Sequence, residues 1–327
     1  MQGKIALEEH IAIEETSSNF GTPFPDHVWN ELKGRLLDIH DRRLGLMDQH
    51  GIEMMVLSLN APAVQGIPDP ARANEVARKA NDHLAEQVHK RPDRFQALAA
   101  LPMQDPALAI RELERCVKEL GFRGALVNGF SQLEGDKTLY YYDLPQYRPF
   151  WATLEKLDVP FYLHPRNPLP RDAHVYDGHP WLLGPVWAFG QETAVHALRL
   201  MGSGLFDAHP RLSIILGHLG ENLPYGMWRI DNANGWVEAR NSYPAKKRIR
   251  DYFAANFHVT TSGNFNSQSL LDAMLVLGAD RIMFSVDWPF ENVDHATDWF
   301  DACPISEADR LKIGRDNARR LFQLKGA

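Results

Sequence analysis

Cysteine is scarce in this sequence, with only Cys116 and Cys303 among 327 residues. The two lie far apart in the chain and outside any CxxC or Cys–His spacing, which argues against a disulfide framework and against a thiolate zinc site. We expect both side chains to be free thiols, buried or half-buried, that take no part in function.

Long apolar runs and concentrations of charge are also lacking. No stretch of about 18 residues is apolar enough to cross a bilayer, and the charged start "MQGKIALEEH" does not have the uninterrupted apolar core of a signal peptide. The 35 Lys and Arg residues are spread among 42 Asp and Glu residues, giving a net charge of -7 and no basic stripe. We therefore expect a cytoplasmic protein that binds neither membranes nor nucleic acid.

Short apolar, β-rich runs alternate with helical segments along the whole chain. Helix starts are marked at Asp69 and Asp105, each an N-cap residue followed by proline. This alternation predicts a parallel sheet, and a count of eight runs predicts closure into a (β/α)8 TIM barrel. Without a visible linker, residues 1–327 are predicted to form a single domain, with a pair of helices over 306–324. The eight runs are "KIAL", "MMVLSL", "FQALAAL", "GALV", "VPFYL", "LSIIL", "FHVTT" and "RIMFS".

Polar residues stand directly after most of these runs, where the strands of a barrel converge on one mouth and active sites are built. Three histidines and two carboxylates are among them. Alternation along the first strand places Glu8 and His10 on one face and Glu9 on the other, and we interpret Glu9 as structural. The residues at the strand ends are Glu8, His10, Asn60, Asn128, His164, His218, Thr261, Ser262 and Asp287.

Carboxylate oxygen and imidazole nitrogen together suit Zn, Mn, Fe or Mg, and a set rich in carboxylates favours Mn or Mg. Taken singly, His164 and His218 could be ordinary strand-end histidines, and Asp287 could cap the following helix. Glu8 is harder to explain in this way, because a carboxylate at the end of a buried strand needs a cation or several donors. Agreement among five such residues at four strand ends favours one shared metal site.

The segments "ALEEH", "FYLHPRNP", "IILGHLGE" and "FSVDWPFE" resemble the decarboxylase branch of the amidohydrolase superfamily. The resemblance to its benzoate decarboxylases extends over essentially the whole chain and includes "LLDIHDRRLGLMDQHGIE", "YYDLPQYRPFW" and "DGHPWLLGP". In the superfamily the first strand often ends in His-x-His. Here Glu8 takes the first position, as it does in the benzoate decarboxylases, so the resemblance is narrower than the fold.

The resemblance implies a metal centre ligated by Glu8, His10, His164 and Asp287. It implies one divalent ion per subunit, Mn2+ in first place with Mg2+ or Zn2+ as alternatives, and no organic cofactor. Binuclear relatives hold a second metal with a carboxylated lysine at the end of the fourth strand. That position is occupied here by Asn128, which leaves a single metal.

The implied reaction is the nonoxidative, reversible decarboxylation of 2,6-dihydroxybenzoate to resorcinol and CO2. The metal would chelate the ortho-hydroxy carboxylate, and the ring carbon would be protonated before CO2 leaves. Asp287 is the implied proton donor, with His218 and Glu221 beside it as an acid–base relay. Because a bound dication lowers the pKa of a ligating carboxylate, His218 is the alternative donor.

For the small aromatic acid substrate, the resemblance implies the binding residues Asn128, Arg229, Phe24 and Phe290. Arg229 would reach the pocket of a neighbouring subunit in a homotetramer built as a dimer of dimers. The alternative interpretation of Arg229 is that it forms an ordinary surface salt bridge.

Three other functions compete with this interpretation. A hydrolase of lactonase or amidase type would use the same metal to activate water. A decarboxylase of another hydroxybenzoate, such as 2,3- or 2,4-dihydroxybenzoate or salicylate, would differ only in the shape of the pocket. A non-catalytic scaffold is hard to reconcile with five such polar residues at strand ends.

Overall fold

In the computed structural model, which describes residues 1–17, 24–238 and 243–324, the predicted β-rich runs form eight parallel strands. They are β1 (Lys4–Ile11), β2 (Ile52–Leu59), β3 (Phe95–Ala97), β4 (Ala125–Asn128), β5 (Phe161–His164), β6 (Ile214–Leu216), β7 (Phe257–Thr260) and β8 (Ile282–Met283).

Helices fill the segments between the strands and after the last one. They are α1 (Asp26–Leu37), α2 (Arg42–His50), α3 (Pro70–Lys90), α4 (Pro106–Lys118), α5 (Arg148–Leu157), α6 (Ala188–Gly202), α7 (Leu205–Ala208), α8 (His218–Glu221), α9 (Leu223–Glu238), α10 (Ile249–Asn256), α11 (Ser267–Leu277), α12 (Val293–Ala302), α13 (Glu307–Leu311) and α14 (Asn317–Leu321). None of the helices in the described ranges has the length and apolarity needed to cross a bilayer.

The strands pair in chain order, as a (β/α)8 barrel requires, and this confirms the predicted fold. Strands β1 to β3 form one ladder and β4 to β8 form another. A single parallel bridge between Ala99 and Ala125 joins the two ladders just beyond β3. At the other junction the His10 amide donates to the Trp288 carbonyl at 2.7 Å, which brings the chain after β8 back to β1. We call this second junction the closing seam.

The predicted helix starts carry the expected caps. The Asp69 carboxylate accepts the amide of Arg72 at 2.7 Å, and the Asp105 carboxylate accepts the amides of Ala107 and Leu108. These bonds satisfy amides that have no partner within the helix. The predicted C-terminal pair corresponds to α13 and α14, which a π-helical turn at Lys312–Asp316 connects.

The lower part of the barrel interior is filled with apolar side chains from the strands, including Ile5 and Leu7 of β1. Ala318 and Phe322, in and just after α14, join the same cluster from below. Side chains on the outer faces of the strands pack against the helices in a larger cluster, to which Ala6 belongs. The polar residues therefore lie above an apolar floor, at the carboxyl ends of the strands.

Candidate metal centre and active site

A β-bulge in β1 directs Glu8 into the barrel. Ala6 pairs with Met55 and Glu9 with Leu57, so three steps along β1 match two along β2. Glu8 takes a positive φ of 31° at this point. Because a bulge shifts the alternation of side chains by one residue, Leu7 and Glu8 both belong to the inner side of the strand.

Four predicted metal ligands converge at the mouth of the barrel. Glu8, His10, His164 and Asp287 each offer one ligand atom, and these atoms all lie within 4.8 Å of one another. The His164 Nε2 is 3.1 Å from Glu8 Oε1, and the His10 Nε2 is 3.2 Å from Asp287 Oδ1. Glu8 Oε1 and His10 Nε2 are buried without a hydrogen-bond partner among the described residues. Buried polar atoms left unpaired in this way fit a cation ligated by two carboxylates and two imidazoles.

The second oxygen of Glu8 is held by hydroxyl groups. Tyr162 and Ser262 both donate to Glu8 Oε2, and the Thr260 hydroxyl lies 3.5 Å away. Donors on Oε2 fix the carboxylate and leave Oε1 facing the other ligand atoms. The backbone at Gly217 also passes close to this carboxylate. A Cβ at this position would lie 2.7 Å from Glu8 Oε2, so only glycine fits without a steric clash.

The electrostatic environment suits these ligand roles. Burial alone would raise the pKa of Glu8, but positive charge on His218 and the close approach of the His164 imidazole outweigh it and lower that pKa. Burial lowers the pKa of His10, which favours the neutral imidazole that a metal needs. The site therefore presents ionised carboxylate and neutral imidazole together.

Hydrogen bonds on the far ring nitrogens orient both ligand histidines. The His164 Nδ1 lies 3.0 Å from the Pro165 carbonyl, to which only an N–H can donate, so the Nε2 keeps its lone pair for a metal. The His10 Nδ1 lies 3.2 Å from the Ser58 hydroxyl. Such bonds fix the tautomer and the direction of a ligating imidazole.

His218 lies beside the ligand cluster and links it to Glu221. Its Nδ1 is 2.7 Å from Glu221 Oε1, and its Nε2 is 3.6 Å from Glu8 Oε1 and 3.7 Å from Asp287 Oδ2. Burial alone would lower the pKa of His218, but the three carboxylates raise it well above its usual value. The imidazole therefore favours the protonated form next to Asp287.

The backbone is strained at these same residues. His218, Glu221 and Asp287 take φ values of 52°, 54° and 79°, in the region that residues other than glycine seldom adopt. Such conformations cost free energy and persist only where the surrounding structure imposes them, often at functional sites. Here they bring polar side chains from the loops after β6 and β8 to one point.

An apolar cavity of about 370 Å³ opens above the ligands. Its polar lining consists of Asn60, His164, His218, Asp287 and Glu291, and the polar end that faces the ligand cluster is formed by His164, His218 and Asp287. Its apolar wall consists of Phe24, Val28, Trp29, Leu32, Pro185, Phe189 and Phe290. A more polar cavity of about 230 Å³ lies next to it and shares His218 and Asp287. This volume and lining fit a single aromatic ring held over a polar anchor.

The four predicted substrate-binding residues do not all reach this cavity. Phe24 lines it and stacks on Trp29, and Phe290 lines it and meets the His10 ring edge-on at 5.8 Å. Asn128 is buried at the end of β4, outside the lining of both cavities. Arg229 is exposed on α9 and lines neither cavity.

Several residues of the site were missed from the sequence. Tyr162 precedes His164 by two residues, so strand alternation alone would have placed its hydroxyl on the ligand side. Ser262 appeared among the strand-end residues without a role, although it donates to Glu8. No sequence signal marked Trp29 or Phe189, because they come from the helices α1 and α6 and not from strand ends.

The barrel, with its two-carboxylate, two-imidazole centre, defines a metal-dependent enzyme of the amidohydrolase class. The family model described as Amidohydrolase matches residues 26–324, and the chain belongs to this family. Over 328 residues the chain is 70% identical to γ-resorcylate decarboxylase of a Rhizobium species, and the match covers 100% of both chains. The predicted resemblance to the benzoate decarboxylases is thereby confirmed.

Solved structures of decarboxylases from this family are also similar to the chain. The crystal structure of a 2,6-dihydroxybenzoate decarboxylase with bound 2,6-dihydroxybenzoate has a TM-score of 0.97 and 69% identity, and the match covers 99% of this chain and 100% of that one. The structure of a dihydroxybenzoic acid decarboxylase from a Polaromonas species contains manganese and the inhibitor 2-nitroresorcinol. It has a TM-score of 0.97 and 68% identity, over 100% of this chain and 98% of that one.

Proposed function

We propose that this protein catalyses the nonoxidative, reversible decarboxylation of 2,6-dihydroxybenzoate to resorcinol and CO2, as a carbon–carbon lyase. The observation that carries this proposal is the position of the four ligand atoms, which lie within 4.8 Å of one another beneath a cavity sized for one aromatic ring. Full-length relatives at 66% to 70% identity that are γ-resorcylate decarboxylases support the choice of substrate.

Glu8, His10, His164 and Asp287 would hold one divalent ion, and we propose Mn2+ with Mg2+ and Zn2+ as alternatives. The two carboxylates in the donor set and the manganese in the Polaromonas relative support this assignment. When bound, the ion supplies Lewis acidity towards an ortho-hydroxy carboxylate.

The chain itself orients the ring and delivers the proton. Phe24 and Phe290 confine the ring between apolar walls, with its carboxylate at the polar end of the cavity. Asp287 gives a proton to the ring carbon that carries the carboxylate, so a C–H bond forms there. The C–C bond then breaks, CO2 leaves, and the electron pair restores the aromatic ring.

His218 and Glu221 restore the proton that Asp287 has lost. The contact of 3.7 Å between His218 Nε2 and Asp287 Oδ2 and the contact of 2.7 Å between His218 and Glu221 provide the path. Direct donation by His218 is the alternative, because its imidazole lines the same cavity and favours the protonated form.

Incubation of the purified protein with Mn2+ and 2,6-dihydroxybenzoate tests the proposal by chromatographic detection of resorcinol. We expect resorcinol and CO2 in equal amounts from the parent protein and none from Asp287→Asn. Salicylate, 2,3-dihydroxybenzoate and 2,4-dihydroxybenzoate, assayed in parallel, define the substrate range. Hydrolysis of a lactone without formation of resorcinol would instead assign a hydrolase.

We also propose that the protein is a cytoplasmic, single-domain homotetramer built as a dimer of dimers. Two exposed apolar surfaces support two kinds of subunit contact, since isolated monomers seldom expose so many large apolar side chains together. The first surface, on α9 and α11, consists of Tyr225, Trp228, Trp236, Leu271 and Leu275. The second, between β5 and α6, consists of Val175, Trp181, Val186 and Trp187.

Light scattering of the parent protein and of Trp228→Lys and Val186→Lys variants tests this assembly. We expect a tetramer for the parent and dimers for each variant, because one kind of contact is lost in each. A monomeric parent protein would overturn the proposal.

A further inference from the structure

Two buried charged residues lie behind the metal ligands, and the reaction described above does not use them. Glu9 is fully buried on the opposite face of β1 from Glu8 and His10. Arg43, also fully buried, comes from α2 on the same outer side. Buried charges are costly unless other groups compensate them, so their contacts explain why they are present.

The Glu9 carboxylate accepts hydrogen bonds from the backbone on both sides of Asp287. Its Oε1 accepts the amide of Val286 at 2.9 Å, and its Oε2 accepts the amide of Trp288 at 3.3 Å. The Ser285 hydroxyl lies 3.3 Å from the same carboxylate. Asp287, between the two amides, has a φ of 79°, a conformation that needs support from its surroundings.

These contacts lie at the closing seam, where the described residues of β1 and β8 form no ladder. A strand next to β1 would normally offer its amides to backbone carbonyls. Here a side-chain carboxylate accepts two of them and leaves the bulged backbone of β1 free to direct Glu8 inwards. The carboxylate thus takes the place of the missing ladder beside a metal ligand.

Arg43 fixes the next ligand along β1. Its Nη2 donates to the carbonyl of His10 at 2.6 Å, and its backbone amide donates to the Asp38 carboxylate at 2.9 Å. Its guanidinium also attracts the Glu9 carboxylate electrostatically. One buried residue therefore holds the backbone beside Asp287, and the other holds the backbone of His10.

We propose that Glu9 and Arg43 are positioning residues of the metal centre, which set the geometry of Asp287 and His10 through the backbone. A role of this kind differs from general stabilisation of the fold. It predicts a change at the metal itself when the contact is altered, because residues that orient ligands commonly contribute about 10- to 100-fold to metal affinity.

The test measures Mn2+ binding in the full-length protein, independently of any substrate. The Mn2+ dissociation constant is obtained by competition with a fluorescent chelator, and electron paramagnetic resonance reports the symmetry of the bound ion. For Glu9→Gln we expect an increase of about 10-fold in the dissociation constant and an altered spectrum, because the amide NH2 cannot accept a backbone amide.

Glu112→Gln is the matched control. Glu112 is a buried carboxylate that accepts hydrogen bonds from Asn81 and Arg115, away from the metal ligands. We expect it to lower the melting temperature of the metal-free protein while leaving the dissociation constant and the spectrum at parent values. A Glu9→Gln protein that melts earlier but binds Mn2+ as the parent does would overturn the proposal.

Arg43→Lys keeps the test decisive if Glu9→Gln does not fold. It retains the positive charge near Glu9 but changes the donor to the His10 carbonyl. We expect a raised dissociation constant for Mn2+, and a parent-like value would overturn the proposal.

Discussion

The phenol of Tyr162 donates a hydrogen bond to Oε2 of Glu8 at the base of the metal centre. Tyr162 belongs to the buried layer of the barrel interior, so its ring is fixed by apolar packing while its hydroxyl points up at the carboxylate. Together with Ser262 it occupies one oxygen of Glu8 and leaves the other directed at the remaining ligand atoms.

Replacement of Tyr162 by Phe should weaken metal binding without removing a ligand. Because Ser262 still holds the carboxylate, we expect a rise of about 10-fold in the Mn2+ dissociation constant, at the lower end of the range for such residues. Isothermal titration calorimetry gives the value. Tyr147→Phe is the control, since that buried hydroxyl donates to the Met103 carbonyl away from the site, and its Mn2+ affinity should equal that of the parent.

Replacement of Glu8 by Gln should largely empty the site. The amide keeps the shape of the side chain but removes one of the two negative charges that a divalent ion would meet. We expect the metal content after gel filtration to fall from about one ion per subunit to a small fraction of an ion per subunit. Inductively coupled plasma mass spectrometry measures this content. Full occupancy in this variant would remove Glu8 from the ligand set.

Glu221→Gln should slow the reaction while the metal stays bound. The amide can still hydrogen-bond to His218 but cannot stabilise its protonated form, so restoration of the proton on Asp287 becomes slow. We expect kcat to fall by about 10²- to 10⁴-fold with little change in metal content. Glu155→Gln alters a similar pair with His209, far from the site, and should leave kcat unchanged.

Arg229→Ala separates a role at the pocket from a role on the surface. If an assembled neighbour presents Arg229 to the substrate, KM should rise or kcat should fall several-fold while metal content stays near the parent value. Arg91→Ala removes an exposed arginine that pairs with Asp93, and it should change neither parameter. Kinetics like those of the parent would make Arg229 an ordinary surface residue.

The fold could be predicted because each of its signals is local. Runs of apolar residues mark the strands, and Asp69 and Asp105 mark two helix starts by their own chemistry. Because strand ends meet at one mouth, the fold placed Glu8, His10, His164 and Asp287 among the polar residues expected there, and the family resemblance then implied these four as the ligands. In a regular barrel, the positions of the strand ends in the sequence therefore predict which residues meet at the mouth.

The parts of the site that could not be predicted depend on departures from regular strand and helix patterns. Simple alternation from Ile5 and Leu7 would have placed Glu9 inside the barrel, and only the bulge at Glu8 reverses this. The sequence left Glu9 as a structural residue, because its partners lie almost 280 residues away along the chain. Arg43 was overlooked for a different reason, because a charged residue on an amphipathic helix ordinarily indicates a solvent-facing position.

The apolar floor of the barrel closes the site from below. Ile5 and Leu7 pack below the ligands against Phe322, so the cavities above the ligands are the open side of the site in the described structure. An aromatic acid bound there in the proposed reaction would cover the ligands. A bound product or inhibitor is therefore expected to slow the removal of the ion by chelators, so that occupancy of the cavity governs how readily the ion leaves.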